Sequence, residues 1–246
     1  MLVRYKQTAL GVIWSVLRPL ITIVVFTLVF NKLGHFPTEG GVPYAIMVCA
    51  GMLPWQFFSN AFSESAGSLV ANSNLLTKVY FPRLIVPASS VIVSIIDFLI
   101  SFIILLGLFF FYQYIPGWRM MLLPVFFLLA TVTSMGAGLF IAALNVKYRD
   151  FRYVIPFIVQ FGLYISPVGF SSNVVYGNTS WAIGLKYLYS LNPMVGVIDG
   201  FRWAIIGGDT QLFLPGFVLS VLVSLLLLAY GIIYFRKTER TFADII

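Results

Sequence analysis

Four apolar stretches of this chain run for more than twenty residues with at most one charge: 86–112 holds only Asp97, 42–65 only Glu64, and 121–144 and 213–235 hold none. A shorter one, 14–30, holds only Arg18. The hydrocarbon core of a bilayer is about 30 Å thick, and roughly twenty apolar helical residues cross it. In lipid every backbone N–H and C=O needs an internal partner, which leaves only helices and closed barrels. Barrel strands alternate apolar and polar side chains, whereas these runs are apolar throughout. The expected fold class is therefore an all-α integral membrane protein. Charge agrees: only 9% of the 246 residues are charged, against about 25% in a soluble domain. The net charge of +7 would suggest nucleic acid in a soluble protein. Here it reads as the Lys and Arg excess on the cytoplasmic face of membrane proteins, and no nucleic-acid partner is expected.

Taken in order, residues 1–17 mix apolar and basic positions at helical spacing, with Arg4, Tyr5, Lys6 and Trp14 among them. That pattern suits a helix lying in the membrane surface, whose Arg and Lys snorkel to headgroups; the plainer reading is the flank of the first span. No small-residue cleavage site follows these residues, so no removable signal is expected. The first span covers 14–30, with Pro19 expected in its first turn, where it is tolerated. The second covers 42–65 and contains Pro54, a candidate kink. The third covers 86–112 and the fourth 121–144, the latter with Ser134, Gly136 and Gly138 offering close helix approach. The run 153–165 is too short for a full straight crossing and is broken by Ser166-Pro167. A second short run, 194–206, starts after Asn192-Pro193, an N-cap signal, and stops at Gly207-Gly208. The expectation for 166–210 is a re-entrant outer region between the fifth and sixth spans, since broken helices at membrane depth survive only within protein or beside a cavity. The last span covers 213–235.

Orientation follows from the basic residues. With six spans and both termini inside, the inner face holds Arg4, Lys6, Arg18, Lys78, Arg83, Lys147, Arg149, Arg152, Arg236, Lys237 and Arg240. The outer face holds Lys32, Arg119, Lys186 and Arg202, so the count is eleven against four.

Candidate functional residues are few. The polar island 69–85 separates two apolar runs on the inner face. Within it Leu75, Leu76, Val79 and Tyr80 recur at i, i+1, i+4 and i+5, with Lys78 and Arg83 beside them. A short amphipathic helix of this kind sets its face into a partner's groove or lies on headgroups. Aromatic residues make up 17% of the chain; Phe26, Phe30, Phe157, Phe161 and Tyr164 are candidates to line a channel. Packing against lipid is the commoner role of membrane aromatics. Asp199 and Arg202 stand three apart on the short outer helix and are candidates for an outer gate or form a structural pair. Asp97 is either a polar contact between helices or a proton-relay group. His35 is the lone histidine and lies in a turn-rich loop, so no metal is expected. Cys49 is the lone cysteine and forms no intrachain disulfide.

Six collinear stretches carry a resemblance: RYKQTALGVIWSVLRPL (4–20), GMLPWQFFSNAF (51–62), NLLTKVYFPRLIVP (74–87), LNVKYRDFRYVIPF (144–157), LNPMVGVIDGFRWAI (191–205) and YFRKTERTFADII (234–246). Together they make the chain resemble the permease subunit of ABC-2-type exporters of polysaccharide, nearest the branch handling lipid-linked O-antigen and wall teichoic acid. Members usually carry a further cytoplasmic stretch ahead of the RYKQT motif, which here begins at Arg4. The resemblance implies a bacterial inner-membrane protein that works as two copies with two copies of a separate ATPase, which docks on the loop between spans two and three. It also implies lipid-linked polysaccharide as cargo, O-antigen first, with teichoic acid or capsule as alternatives. No phosphate-binding GxxxxGK[ST] sequence occurs in the chain, so ATP and Mg are expected on the partner, no cofactor in this chain and no catalytic residue. An ion-coupled secondary transporter using Asp97 is the alternative from another class. A membrane enzyme ranks last, since no acidic pair or histidine-based site is present.

Overall fold

The computed structural model describes residues 11–35, 38–73, 82–148, 150–177, 182–207, 210, 212–239 and 242. Among them all regular structure is helical, with no strand. Helix α1 (Gly11–Phe26) passes directly into a π-helix, Thr27–Leu33. Then follow α2 (Tyr44–Ala71), α3 (Ile85–Phe111), a 3-10 turn Trp118–Leu122 and α4 (Leu123–Lys147). The rest is α5 (Phe151–Ile165), the short α6 (Asn173–Tyr176), α7 (Ile183–Ser190), α8 (Pro193–Ile206) and α9 (Leu214–Thr238). Among the described residues four helices are long and apolar enough to cross a membrane: α2, α3, α4 with its 3-10 turn, and α9. Helix α5 has 15 residues, which at 1.5 Å each span only about 22 Å.

Local chemistry accounts for several boundaries. Asn192 caps α8, its side-chain oxygen accepting from the Met194 N–H at 3.1 Å, and Gly207 ends the helix at φ +63°. Prolines open α4, α8 and α9, where the missing N–H is no loss. Two expectations need correction. Pro19 sits well inside α1 rather than in the first turn, because the helix begins before the apolar run does. Helix α2 continues past 65 to Ala71, because Ser65, Ser68 and Leu69 remain buried there and Asn72 closes the last turn with its N–H and Nδ2, both donating to the Ser68 carbonyl.

The bundle is built around α2, which packs most extensively on α3 and α4 and also against α8 and α5. Its spanning window is 83% buried, against 17% in α3 and 22% in α9. Yet α2 is the least apolar of the four. A helix facing lipid must be apolar all round, whereas one enclosed by protein may carry polar groups that find partners. Those partners are present: Asn145 of α4 donates from Nδ2 to the Ala66 carbonyl at 3.1 Å. Nearby, Gly138 lies so close to α2 that an added Cβ would stand 2.6 Å from Ser65 Oγ.

Helix α9 presents a stripe of small buried residues, Gly216, Ser220, Ser224 and Gly231. Thr133 Oγ1 of α4 donates to Ser224 Oγ at 2.9 Å, and Ser220 Oγ donates to the Ser190 carbonyl at 2.9 Å. Van der Waals contact through small residues and hydrogen bonds is how helices associate where lipid is as apolar as leucine.

Candidate functional site

The site lies where α5 ends. Pro167 cannot continue a helix and holds Ser166 extended, so the chain breaks into the turn 166–170 before α6. Ser166, Pro167, Val168 and Gly169 are all buried, and a buried turn must find donors for its carbonyls.

Arg202 of α8 supplies them. Its guanidinium is 1% exposed; Nη1 donates to the Phe170 carbonyl at 2.6 Å and Nη2 to the Val168 carbonyl at 2.8 Å. Its Nε reaches toward the Met47 carbonyl of α2 at 3.4 Å. A planar fork of fixed donors is suited to serving several carbonyls at once. Room for it exists because Gly51 lacks a side chain: an added Cβ would stand 2.9 Å from Arg202 Nη2. The Tyr44 hydroxyl donates to the Gly169 carbonyl, and Asn192 Nδ2 donates to Ser166 Oγ at 2.9 Å. The turn is thus strapped to α2 and α8 together.

Asp199, one turn before Arg202, lines the same small polar cavity, together with Glu39, Ser172 and Thr210, and its carboxylate accepts from the Ser172 hydroxyl. Both outer-gate candidates therefore sit at one place, but the donors of Arg202 are directed at backbone. Beyond them, Tyr176 shares a 2.9 Å hydrogen bond with Ser190, and burial pushes its phenol up to about 12, so it acts as a neutral hydroxyl.

The five aromatic candidates separate into two groups. Phe26 and Phe30 stack on each other across the start of the π-helix, centroids 5.3 Å apart, and press on Gly169. An added Cβ there would meet Phe26 Cδ1 at 2.9 Å and Phe30 Cε2 at 3.2 Å. They back the strapped turn. Phe157, Phe161 and Tyr164 instead lie along one exposed face of α5, with the two phenylalanine centroids 4.1 Å apart. Tyr153, 79% exposed, extends this stripe by one turn, and the spacing of four residues back from Phe157 is the signal that identifies it. Beside the stripe opens an apolar groove of about 430 Å³, walled by Trp55, Phe58, Phe161, Ile165, Met194 and Leu227. Trp55 and Phe58 could not be singled out in the sequence because Phe57 and Phe62 stand beside them in the same run.

Leucine at Gly169 is expected to drive the two rings apart, lowering the detergent melting temperature by several degrees, as overpacking by about 1–3 kcal/mol would; alanine should cost about a third as much. An unchanged melt for Gly169→Leu would show that the ring pair does not bear on the turn.

Of the other expected site residues, Leu75, Leu76, Lys78, Val79 and Tyr80 lie outside the described residues, as do Arg4, Tyr5 and Lys6. Trp14 falls within α1, in one helix with the first apolar run. Arg83 is described and donates from Nη1 to the Glu239 carbonyl. Asp97 is half-buried in mid α3, while Glu64 is exposed about two turns before the end of α2 and Asp150 is exposed just ahead of α5.

Comparison with known proteins adds the context. An O-antigen export system permease protein RfbA of Klebsiella pneumoniae is 24% identical over 251 residues, covering 99% of this chain and 90% of that protein. The RfbA of Myxococcus xanthus is 26% identical over 81% of this chain and 74% of its own length. The polysialic acid transport protein KpsM of Escherichia coli is 22% identical over 96% and 89%. The pattern defining the ABC-2 type transporter membrane family matches residues 1–206. A multi-pass helical bundle whose sequence follows that pattern from its first residue through the end of α8 belongs to the ABC-2 type transporter family.

Proposed function

We propose that this chain is the membrane subunit of an ATP-driven exporter of lipid-linked polysaccharide, O-antigen in the first instance. The observation that carries the proposal is the end-to-end match with proteins named as O-antigen export permeases, which covers 99% of the chain in one case. Capsular polysaccharide comes second, through the likeness to a polysialic acid transport protein.

In this reading the chain crosses the inner membrane six times with both termini in the cytoplasm. Helix α1 with its π-helical extension, and α5 with the turn 166–170, supply the two crossings beyond the four long helices. Helices α7 and α8 then form the outer re-entrant region. Two copies face each other, and the exposed stripe Tyr153, Phe157, Phe161 and Tyr164 of each supplies a wall along which sugar rings slide. Stacking contacts that are weak and repeated suit a moving polymer better than a single tight site.

Energy comes from a separate ATPase docking on the segment 74–81. Closure of the ATPase pushes that segment, and the bundle moves as a packed body because its core cannot deform continuously. The test is to replace Leu76 and Tyr80 together with Asp. Membrane insertion should be unchanged, the partner ATPase should no longer co-purify, and surface polysaccharide should fall at least about tenfold. Export at the normal rate by that double variant would refute the docking role. The purified chain alone should hydrolyse no ATP above background, and hydrolysis by it would refute the assignment of ATP to a partner.

A further inference from the structure

The basic end of the bundle holds a second apolar cluster, apart from the main core. It gathers Leu69 from the end of α2, Val86 from the start of α3, Leu139, Ala142, Ala143 and Val146 from α4, and Phe235 from α9. Into it comes one residue from beyond the last helix, Phe242, whose side chain is 1% exposed. Its ring stands edge-on to Phe235 at 5.5 Å. The Arg83 guanidinium lies 6.0 Å from the Phe242 ring centroid and donates to the Glu239 carbonyl.

The position of this cluster is what gives it consequence. Leu69 and Val86 are where the chain leaves the bundle toward the segment 74–81 and where it has returned. Helix α9 packs extensively on α4 and α8, but hardly at all on α2 or α3. A push received on the segment reaches α2 and α3 through their own backbones, yet would reach α9 only indirectly, by way of α4. Arg83, the second described residue after the segment, supplies a direct link: its hydrogen bond ends on Glu239 at the C-cap of α9. Phe242 holds that link in place by filling the cluster and lying beneath the guanidinium.

We propose that Phe242 and Arg83 form a strut that carries the motion of the docking segment into α9, with Phe242 as the positioning residue. This rests on the docking role proposed above for 74–81. The strut is a device for transmission, so its loss should separate ATP hydrolysis from transport.

The full chain is co-expressed with its partner ATPase. Surface carbohydrate is labelled by periodate oxidation and hydrazide coupling, and ATP hydrolysis is measured on the purified complex. Phe242→Ala is expected to lower the melting temperature, because a buried ring is lost, but below that temperature assembly and ATP turnover should stay within about twofold of normal, while export per ATP falls at least about tenfold. Phe242→Leu retains apolar volume without a ring and should fall about threefold. If Phe242→Ala fails to accumulate in the membrane, Phe242→Leu decides. A normal export-to-ATP ratio in whichever variant is inserted overturns the strut, as does a loss of export matched by an equal loss of ATP turnover. The docking role has its own control: if Leu76→Asp with Tyr80→Asp exports normally, that role has failed, whereas a defect there with a normal Phe242→Ala condemns the strut alone.

Discussion

Replacing Arg202 with methionine is expected to destabilise the protein by about 3–5 kcal/mol, the range for breaking a buried charged network by removing one partner. Methionine replaces the aliphatic stem of arginine but ends two atoms short of the guanidinium nitrogens and carries no donors, so the carbonyls of Val168 and Phe170 lose their short hydrogen bonds. A bond to a charged donor is worth about 1.5–3 kcal/mol, and a buried carbonyl left without a partner adds to the loss. Asp199 is left with Ser172 as a donor and without the nearby positive charge that offsets its burial. For a chain of this size each kcal/mol lowers the melting temperature by about 2–4 °C, so a detergent-solubilised melt should fall by about 10 °C. The defect should be local in onset: protease should cut the chain first near 166–170. Arg202→Lys keeps the charge, but a compact ammonium lacks the rigid fork that reaches both carbonyls, and about half of the loss should remain. If Arg202→Met melts with the unaltered protein, the guanidinium is not what holds the turn, and an outer-gate role for Arg202 would become the better account.

The second large effect is expected where α4 crosses α9. A Cβ added to Gly231 would stand 2.4 Å from the Gly136 carbonyl oxygen, and one added to Gly136 would stand 2.5 Å from the Leu228 backbone nitrogen. These obstacles are backbone atoms, which cannot rotate away as a side chain would. Gly231→Val therefore has to separate the two helices, which also pulls apart the Thr133–Ser224 hydrogen bond on the same contact face. Overpacking costs about 1–3 kcal/mol where side chains can adjust; here the upper end, about 3 kcal/mol, is expected. Gly231→Ala should already show most of it. Gly107 of α3 supplies the control, since an added Cβ there meets nothing within 4 Å. Gly107→Ala should be neutral or stabilising by up to about 1 kcal/mol, because glycine is the poorer helix former. Equal melts for Gly231→Val and Gly107→Ala would mean that α4 and α9 do not touch as described.

Much of the architecture could be read directly from residue order. The cap at Asn192, the stop at Gly207 and the break at Pro167 are local chemistry, and each boundary fell within a residue or two of its expected place. The long apolar runs and the absence of strand alternation are likewise properties of the chain alone. So are the six stretches behind the family resemblance, because they need only collinearity.

Tertiary structure decided what no local pattern encodes. In sequence Arg202 is a candidate for an outer gate or for a structural pair with Asp199; its place against the buried turn depends on the space left by Gly51 on α2, more than 150 residues away. Phe26 and Phe30 could not be separated from Phe157 and Phe161 by sequence, since all four are aromatic residues in apolar runs. Only their neighbours, Gly169 in one case and an open groove in the other, tell them apart. The π-helix at Thr27–Leu33, the small-residue stripe of α9 and the return of Phe242 beneath Arg83 belong to the same class. Sequence by itself determined which segments are helical and apolar, because hydrogen bonding in lipid leaves the backbone little choice. Which face of each helix meets protein, and which single polar group is drawn inside, was decided only by packing between segments far apart in the chain.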